Sequence, residues 1–121
     1  MTGVPTLDGN VLSKKARRIV ADAKRQGGLC YWCKRKMILP GDPGYYRIKG
    51  AVSRQGATLD HLYSFHHPLR GDPQGKHRNV IACDKCNRKR GALEMLVLAR
   101  YGKLQPRVYH PNELGHQCVR P

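Results

Sequence analysis

Cys30, Cys33, Cys83 and Cys86 form two C-x-x-C pairs separated by 49 residues (34–82), and no other feature of the chain limits its fold so strongly. Each pair predicts a tight knuckle that presents two thiolates, and two such knuckles complete one tetrahedral zinc site with no open position. Redox-active or simply buried cysteines are the alternatives, but two matched pairs arise by accident less often than one. A closed four-thiolate site is structural, and its binding free energy becomes folding free energy. That contribution matters in a chain of 121 residues with 13 Gly and 8 Pro, whose apolar side chains are thinly spread. One small α+β domain is expected, with Cys118 left over.

Around this staple the chain divides by periodicity. Residues 1–12, with Gly3, Pro5 and Gly9, show no period and read as a flexible leader. Ser13 offers an N-cap. Over residues 14–26, Ala16, Ile19, Val20 and Ala23 recur at helical spacing among Lys15, Arg17, Arg18, Lys24 and Arg25, and Gly27 and Gly28 supply a stop. This basic amphipathic helix either packs on a core with a wet face or also rides on phosphates. Residues 45–48, 57–61 and 79–82 read as short strands, and the segment between His61 and Asn79, with Pro68, Gly71, Pro73 and Gly75, as a loop. Asp84 is placed to cap a last helix that runs to about Tyr101 and closes at Gly102, with Leu93, Leu96 and Val97 as its apolar stripe. The domain is thus expected over residues 13–104, its core over 30–101, and an irregular tail over 105–121.

Twenty-three Lys and Arg against eight Asp and Glu give a formal net charge of +15, which calls for a polyanionic partner. Nucleic acid fits this better than a membrane surface or an acidic protein. No apolar stretch approaches the length of a membrane span and the N-terminus lacks a secretory core, so an intracellular protein is expected, in the cytoplasm or with the nucleoid.

The zinc staple gathers residues 58–87, and there lie the groups able to do chemistry: Asp60 and His61 at the end of one strand, Asn79 at the start of the next, and Asn87 just after the second cysteine pair. Singly, each is an ordinary surface or strand-end residue. The order Asp-His, Asn, then C-x-x-C-Asn resembles the HNH endonuclease family, with its ββα-metal (His-Me finger) fold, in the subgroup stiffened by four zinc-binding cysteines. The match spans roughly residues 30–91 and leaves the N-terminal basic helix as an addition.

The resemblance implies a metal-dependent nuclease hydrolysing phosphodiester bonds of DNA, or of RNA, to 5′-phosphate and 3′-hydroxyl ends. His61 matches the general base, since a neutral imidazole can take a proton from water at physiological pH. Asn79 matches the amide that orients it. Asp60 matches the acidic metal ligand, and Asn87 stands where many relatives have a second histidine. Oxygen ligands alone favour a hard ion, Mg2+ or Mn2+, as the catalytic metal beside the structural zinc. A further histidine of some relatives is replaced by Gly91. Asp60 and His61 can serve one site only if the strand ends or twists there, because neighbours in a strand face opposite ways. Arg70, Lys76 and Arg78, and more strongly Lys85, Arg88, Lys89 and Arg90 beside the metal site, are candidate phosphate contacts. His66, His67 and His77 are loop histidines able to touch phosphate. Tyr31 and Trp32 can stack on a base or pack over the zinc site. So small a chain has little room for a separate base-reading domain, so modest specificity, a homodimer or an accessory protein is expected. The resemblance also implies a phage or mobile-element setting. The alternative is a zinc-stabilised binding module or assembly factor with a degraded nuclease site.

Overall fold

The computed structural model describes residues 12–48, 50–64, 66–70, 79–115 and 120–121. Residues 1–11 of the leader, Lys76, His77, Arg78 and Cys118 lie outside the described residues. The elements follow in the order α1 (Lys14–Arg25), β1 (Arg47–Ile48), β2 (Ala51–Val52), β3 (Ala57–His61), β4 (Asn79–Cys83), α2 (Asp84–Tyr101) and a 3-10 turn at Pro111–Glu113. β1 pairs with β2 and β3 with β4, both antiparallel. In the second sheet Ala57 lies opposite Cys83, Asp60 opposite Val80 and His61 opposite Asn79.

Ser13 caps α1 as expected, its Oγ accepting from Ala16 N–H at 3.1 Å, and Ile19 and Ala23 are the buried side chains of the helix. Gln26 then closes the free edge of β4. Its Nε2 donates to Ile81 O at 2.8 Å and its Oε1 accepts from Ile81 N–H at 2.9 Å. One side-chain amide thus makes both bonds that a neighbouring strand would make. Gly27 and Gly28 follow with φ of 71° and 75°, a left-handed turn that glycine takes without strain and that leads into the first cysteine knuckle.

The strand expected over residues 45–48 is confined to its last two residues; the Tyr45 side chain instead donates to Ala57 O at 3.1 Å. Gly56 joins the small sheet to α2. Its carbonyl accepts from Asp84 N–H at 2.9 Å, and a Cβ there would lie 2.7 Å from Ser53 Oγ and 2.9 Å from Val52.

Asp84 is the first residue of α2 rather than its cap. The N-cap is Cys83, which makes no side-chain cap bond, and Asp84 instead places its charge on the positive helix end while accepting from Arg88 at 2.6 Å. Gly102, at φ 79°, ends the helix as expected. The inner face carries Cys86, Arg90, Leu93, Glu94 and Val97, whereas Leu96, expected in the apolar stripe, is 46% exposed. The stripe is misplaced because two charged residues occupy inward positions. Among the described residues no helix is long and apolar enough to cross a membrane.

Two apolar clusters result. The larger holds Ile19, Ala23, Cys30, Met37, Ala57, Ile81, Ala82, Cys83 and Cys86. The smaller holds Leu93 and Val97 of α2 with Leu104 and Tyr109. The tail is docked through Tyr109, and the described part of its backbone is irregular as expected apart from the 3-10 turn. Tyr109 is fully buried, and Arg107 pairs with Glu113 at 2.8 Å in the turn that follows.

Arg90 stands where the clusters meet, one turn beyond Cys86 and just before Leu93, and pairs with Asp60 of β3. Both side chains are almost wholly buried. Removing one partner of such a pair leaves an uncompensated interior charge, which costs about 3–5 kcal/mol. Arg90→Met should lower unfolding free energy in urea by about that amount, and Asp60→Asn in the same background should recover part of the loss. A near-neutral Arg90→Met would contradict the interior role of the pair.

Candidate active site and metal centre

The two knuckles bring four sulfurs together. The Sγ atoms of Cys30, Cys33, Cys83 and Cys86 all lie within 4.8 Å of one another, none is in a disulfide, and all but Cys33 are buried. Four thiolates at one point are a soft tetrahedral donor set and can hold a structural metal ion such as zinc. One sulfur of the cluster, that of Cys30, is biased toward ionisation. The Cys83 thiol donates to Cys30, and N–H groups of Cys33, Cys83 and Trp32 add to the field, which pulls the Cys30 pKa down to about 4 despite burial. Cys83 is shifted upward because its proton is held in that bond, and burial leads the rise of Cys86 to about 11.

Trp32, inside the first knuckle, carries this centre to the end of β3. Its Nε1–H donates to Asp60 Oδ2 at 2.8 Å, its ring meets His110 edge-on at 5.2 Å, and the Arg90 guanidinium lies 4.7 Å from its centroid. Arg90 Nη1 donates to Asp60 Oδ1 at 2.5 Å, and its other nitrogens reach Leu62 O at 3.2 Å and Tyr109 O at 2.7 Å. Arg90 is 1% exposed, so its expected place among phosphate contacts is corrected: desolvated by α2, β3 and the tail, it serves the interior. The role expected of the loop histidine His67 changes in the same way. It is buried, its Nδ1 accepting from Leu69 N–H and its Nε2 turned to Arg107 O.

His61 has the opposite environment. β3 ends there, and alternation sets Asp60 inward while His61 is exposed. Its Nδ1 lies 2.6 Å from Asn79 Oδ1 across the strand pair. An amide oxygen can only accept, so Nδ1 must carry the proton of the neutral ring, and Nε2 is left with its lone pair.

Asn87, on the first turn of α2, donates from Nδ2 to Thr58 Oγ1 at 3.0 Å and toward Leu59 O at 3.4 Å. With the nitrogen so engaged, Oδ1 remains as a donor to a cation. Each Asp60 oxygen accepts one hydrogen bond and keeps a second lone pair, the way ligating carboxylates are commonly oriented. Asp60 and Asn87 thus offer oxygen donors only, with the charge of Arg90 set against a cation and the Asp60 carboxylate turned inward, away from the face that exposes His61.

The remaining cations take different places. Lys85 and Lys89 line an open cleft of about 380 Å³ with Arg35, Gln55 and Asn112, on a floor that includes Cys33 and Cys86. Arg88 is exposed and held by Asp84 and by Gly50 O. Arg70 is exposed and donates to Tyr63 O at 3.2 Å. Gln26, His110 and Tyr109 also shape this region through contacts to Ile81, Trp32 and Arg90 that span the chain and that no sequence spacing announces.

No protein-family model, no curated protein and no solved structure matches this chain.

If the four thiolates form a structural metal centre, purified protein should retain about one zinc per chain after dialysis. A strong chelator should then lower the melting temperature, and acid should release the metal as protons reclaim the sulfurs. Metal-free protein with unchanged melting in chelator would contradict the assignment.

Proposed function

We propose that this chain is an HNH-type, metal-dependent endonuclease that hydrolyses phosphodiester bonds of DNA, with a ββα-metal core formed by β3, β4 and α2. The observation that supports it best is the His61–Asn79 hydrogen bond, which leaves an exposed Nε2 ready to accept a proton. In the proposed reaction Nε2 takes a proton from water, the hydroxide attacks phosphorus in line, and the 3′ oxygen leaves with the bonding pair and takes a proton from a second water. The products carry 5′-phosphate and 3′-hydroxyl ends. Asn79 acts as a positioning residue, holding one tautomer and one ring orientation without adding charge.

A divalent ion such as Mg2+ or Mn2+, held by Asp60 and Asn87, would stabilise charge on the phosphate and the leaving oxygen. Arg90 and Trp32 fix the Asp60 carboxylate from two sides, which keeps the inner end of the site rigid. Lys85, Lys89, Arg88 and Arg70 supply phosphate contacts in this reading, and the formal charge of +15 supplies attraction at longer range. One observation favours a second reading, a non-catalytic nucleic-acid-binding module with a degraded nuclease site: the buried Asp60–Arg90 pair already neutralises the carboxylate.

Supercoiled plasmid with Mg2+ or Mn2+ separates the two readings. The endonuclease converts it to nicked or linear DNA, and His61→Ala should slow this by about 100-fold or more, as expected for loss of a general base. Chelator should stop it. Plasmid that is retarded on a gel but uncut, identically with His61→Ala, would leave the binding module in its place.

A further inference from the structure

α1 is not absorbed by the chemistry above, yet it packs against the strand that carries His61. Ile19 and Leu59 meet between α1 and β3, and with Lys14, Lys15 and Arg18 they line a groove of about 440 Å³. The floor is apolar and the rim carries three cations. Leu59 and His61 are two residues apart in β3 and so stand on the same face of the strand, about 7 Å apart at 3.3 Å rise per residue. The mouth of the groove and the candidate base are therefore neighbours on one surface.

The charges on this rim are available. Among the described residues neither Lys14 nor Lys15 has an ion-pair partner. Arg18 makes a 3.6 Å exposed contact with Asp22, an arrangement that contributes little and gives way to phosphate. The helix also carries no acidic residue in its first turn, so nothing there repels an anion. A groove with apolar walls and a row of cations matches a chain whose sugars are apolar on one face and whose phosphates repeat along the other. A membrane surface or an acidic peptide also combines anionic and apolar groups, but neither sets phosphates at a regular spacing along one line.

We infer that the groove between α1 and β3 is the track for one nucleic-acid strand, with Lys14, Lys15 and Arg18 on successive phosphates as the strand passes toward His61. The inference rests on the endonuclease reading for the meaning of that direction, but the binding itself does not depend on cleavage. The N-terminal helix is then part of the substrate site, and the candidate base lies at one end of a strand track instead of on an isolated hairpin.

The test is binding to a fluorescein-labelled duplex, measured by anisotropy over a range of salt in a His61→Ala background, so that no cutting occurs. Lys14→Ala, Lys15→Ala and Arg18→Ala combined should weaken binding by about tenfold or more and flatten the log–log salt slope by about 2–3, roughly 0.9 for each phosphate that the variant leaves without its cation. Alanine favours the helix, and unchanged circular dichroism will show that α1 persists. A matched triple variant, Lys24→Ala, Arg100→Ala and Lys103→Ala, removes the same charge away from the groove and should weaken binding by less than a third as much. Equal weakening by the two triples would reduce the effect to net charge and overturn the track, as would unchanged binding by the first. If wild-type protein binds by the groove yet cuts no plasmid, the endonuclease reading fails and the track stands. If it cuts normally with the groove triple binding unchanged, the reverse holds.

Discussion

A guanidinium that is 1% exposed must find its compensation inside the protein, and the positions of three distant stretches of chain follow from how Arg90 finds it. Asp60 supplies the opposite charge, Leu62 and Tyr109 supply carbonyl oxygens, and the Trp32 ring lies at 4.7 Å, where it adds a favourable cation–π contact. These groups come from β3, the segment after it, the docked tail and the first cysteine knuckle. Cutting any one of them away would leave polar atoms unpaired in the interior, so the set is mutually enforcing. His61 gains from this without touching Arg90 through its side chain, because both its neighbours in sequence, Asp60 and Leu62, are fixed by it.

The cysteine cluster does the same work on a larger scale. It ties the turn after α1 to the start of α2, and Gln26 adds a second tie across the edge of β4. Neither apolar cluster is large, and the smaller depends on Tyr109 from a segment with little regular structure. Such a domain cannot rest on apolar burial alone. Directional interactions, in the form of a four-cysteine cluster able to hold a metal ion and a satisfied interior charge, hold it to one arrangement.

How much of this was legible in the sequence depends on the range of the interaction. The cap at Ser13, the stop at Gly102, both helices, β3, β4 and the paired knuckles are written in residues within a few positions of one another, and they lie where the sequence puts them. Apolar periodicity fails on α2, because Arg90 and Glu94 occupy inward positions that the pattern assigns to apolar residues, and Leu96 is drawn into the stripe in their place. Arg90 also looks like its neighbours Arg88 and Lys89 when read as a string, and only the fold separates an interior cation from a surface one. The tail shows no period, yet Leu104 and Tyr109 dock on α2, a long-range fact. Of the candidate site, Asn79 was legible only through the resemblance, as an amide that orients the histidine, and its place opposite His61 comes from the register of β3 and β4. Asp60 points away from His61 in the strand, toward Arg90, and its carboxylate meets two donors that no spacing announces.

What remains central is the state of one imidazole. If Asn79 holds His61 with its proton on Nδ1, long-range 1H–15N correlation spectra of 15N-labelled protein above the imidazole titration range will show a protonated Nδ1 and an unprotonated Nε2 for His61. Asn79→Ala will shift that ring toward the Nε2–H form that free imidazole side chains prefer. A His61 ring already protonated on Nε2 in the wild-type protein, or one whose spectrum is unmoved by Asn79→Ala, would contradict the account.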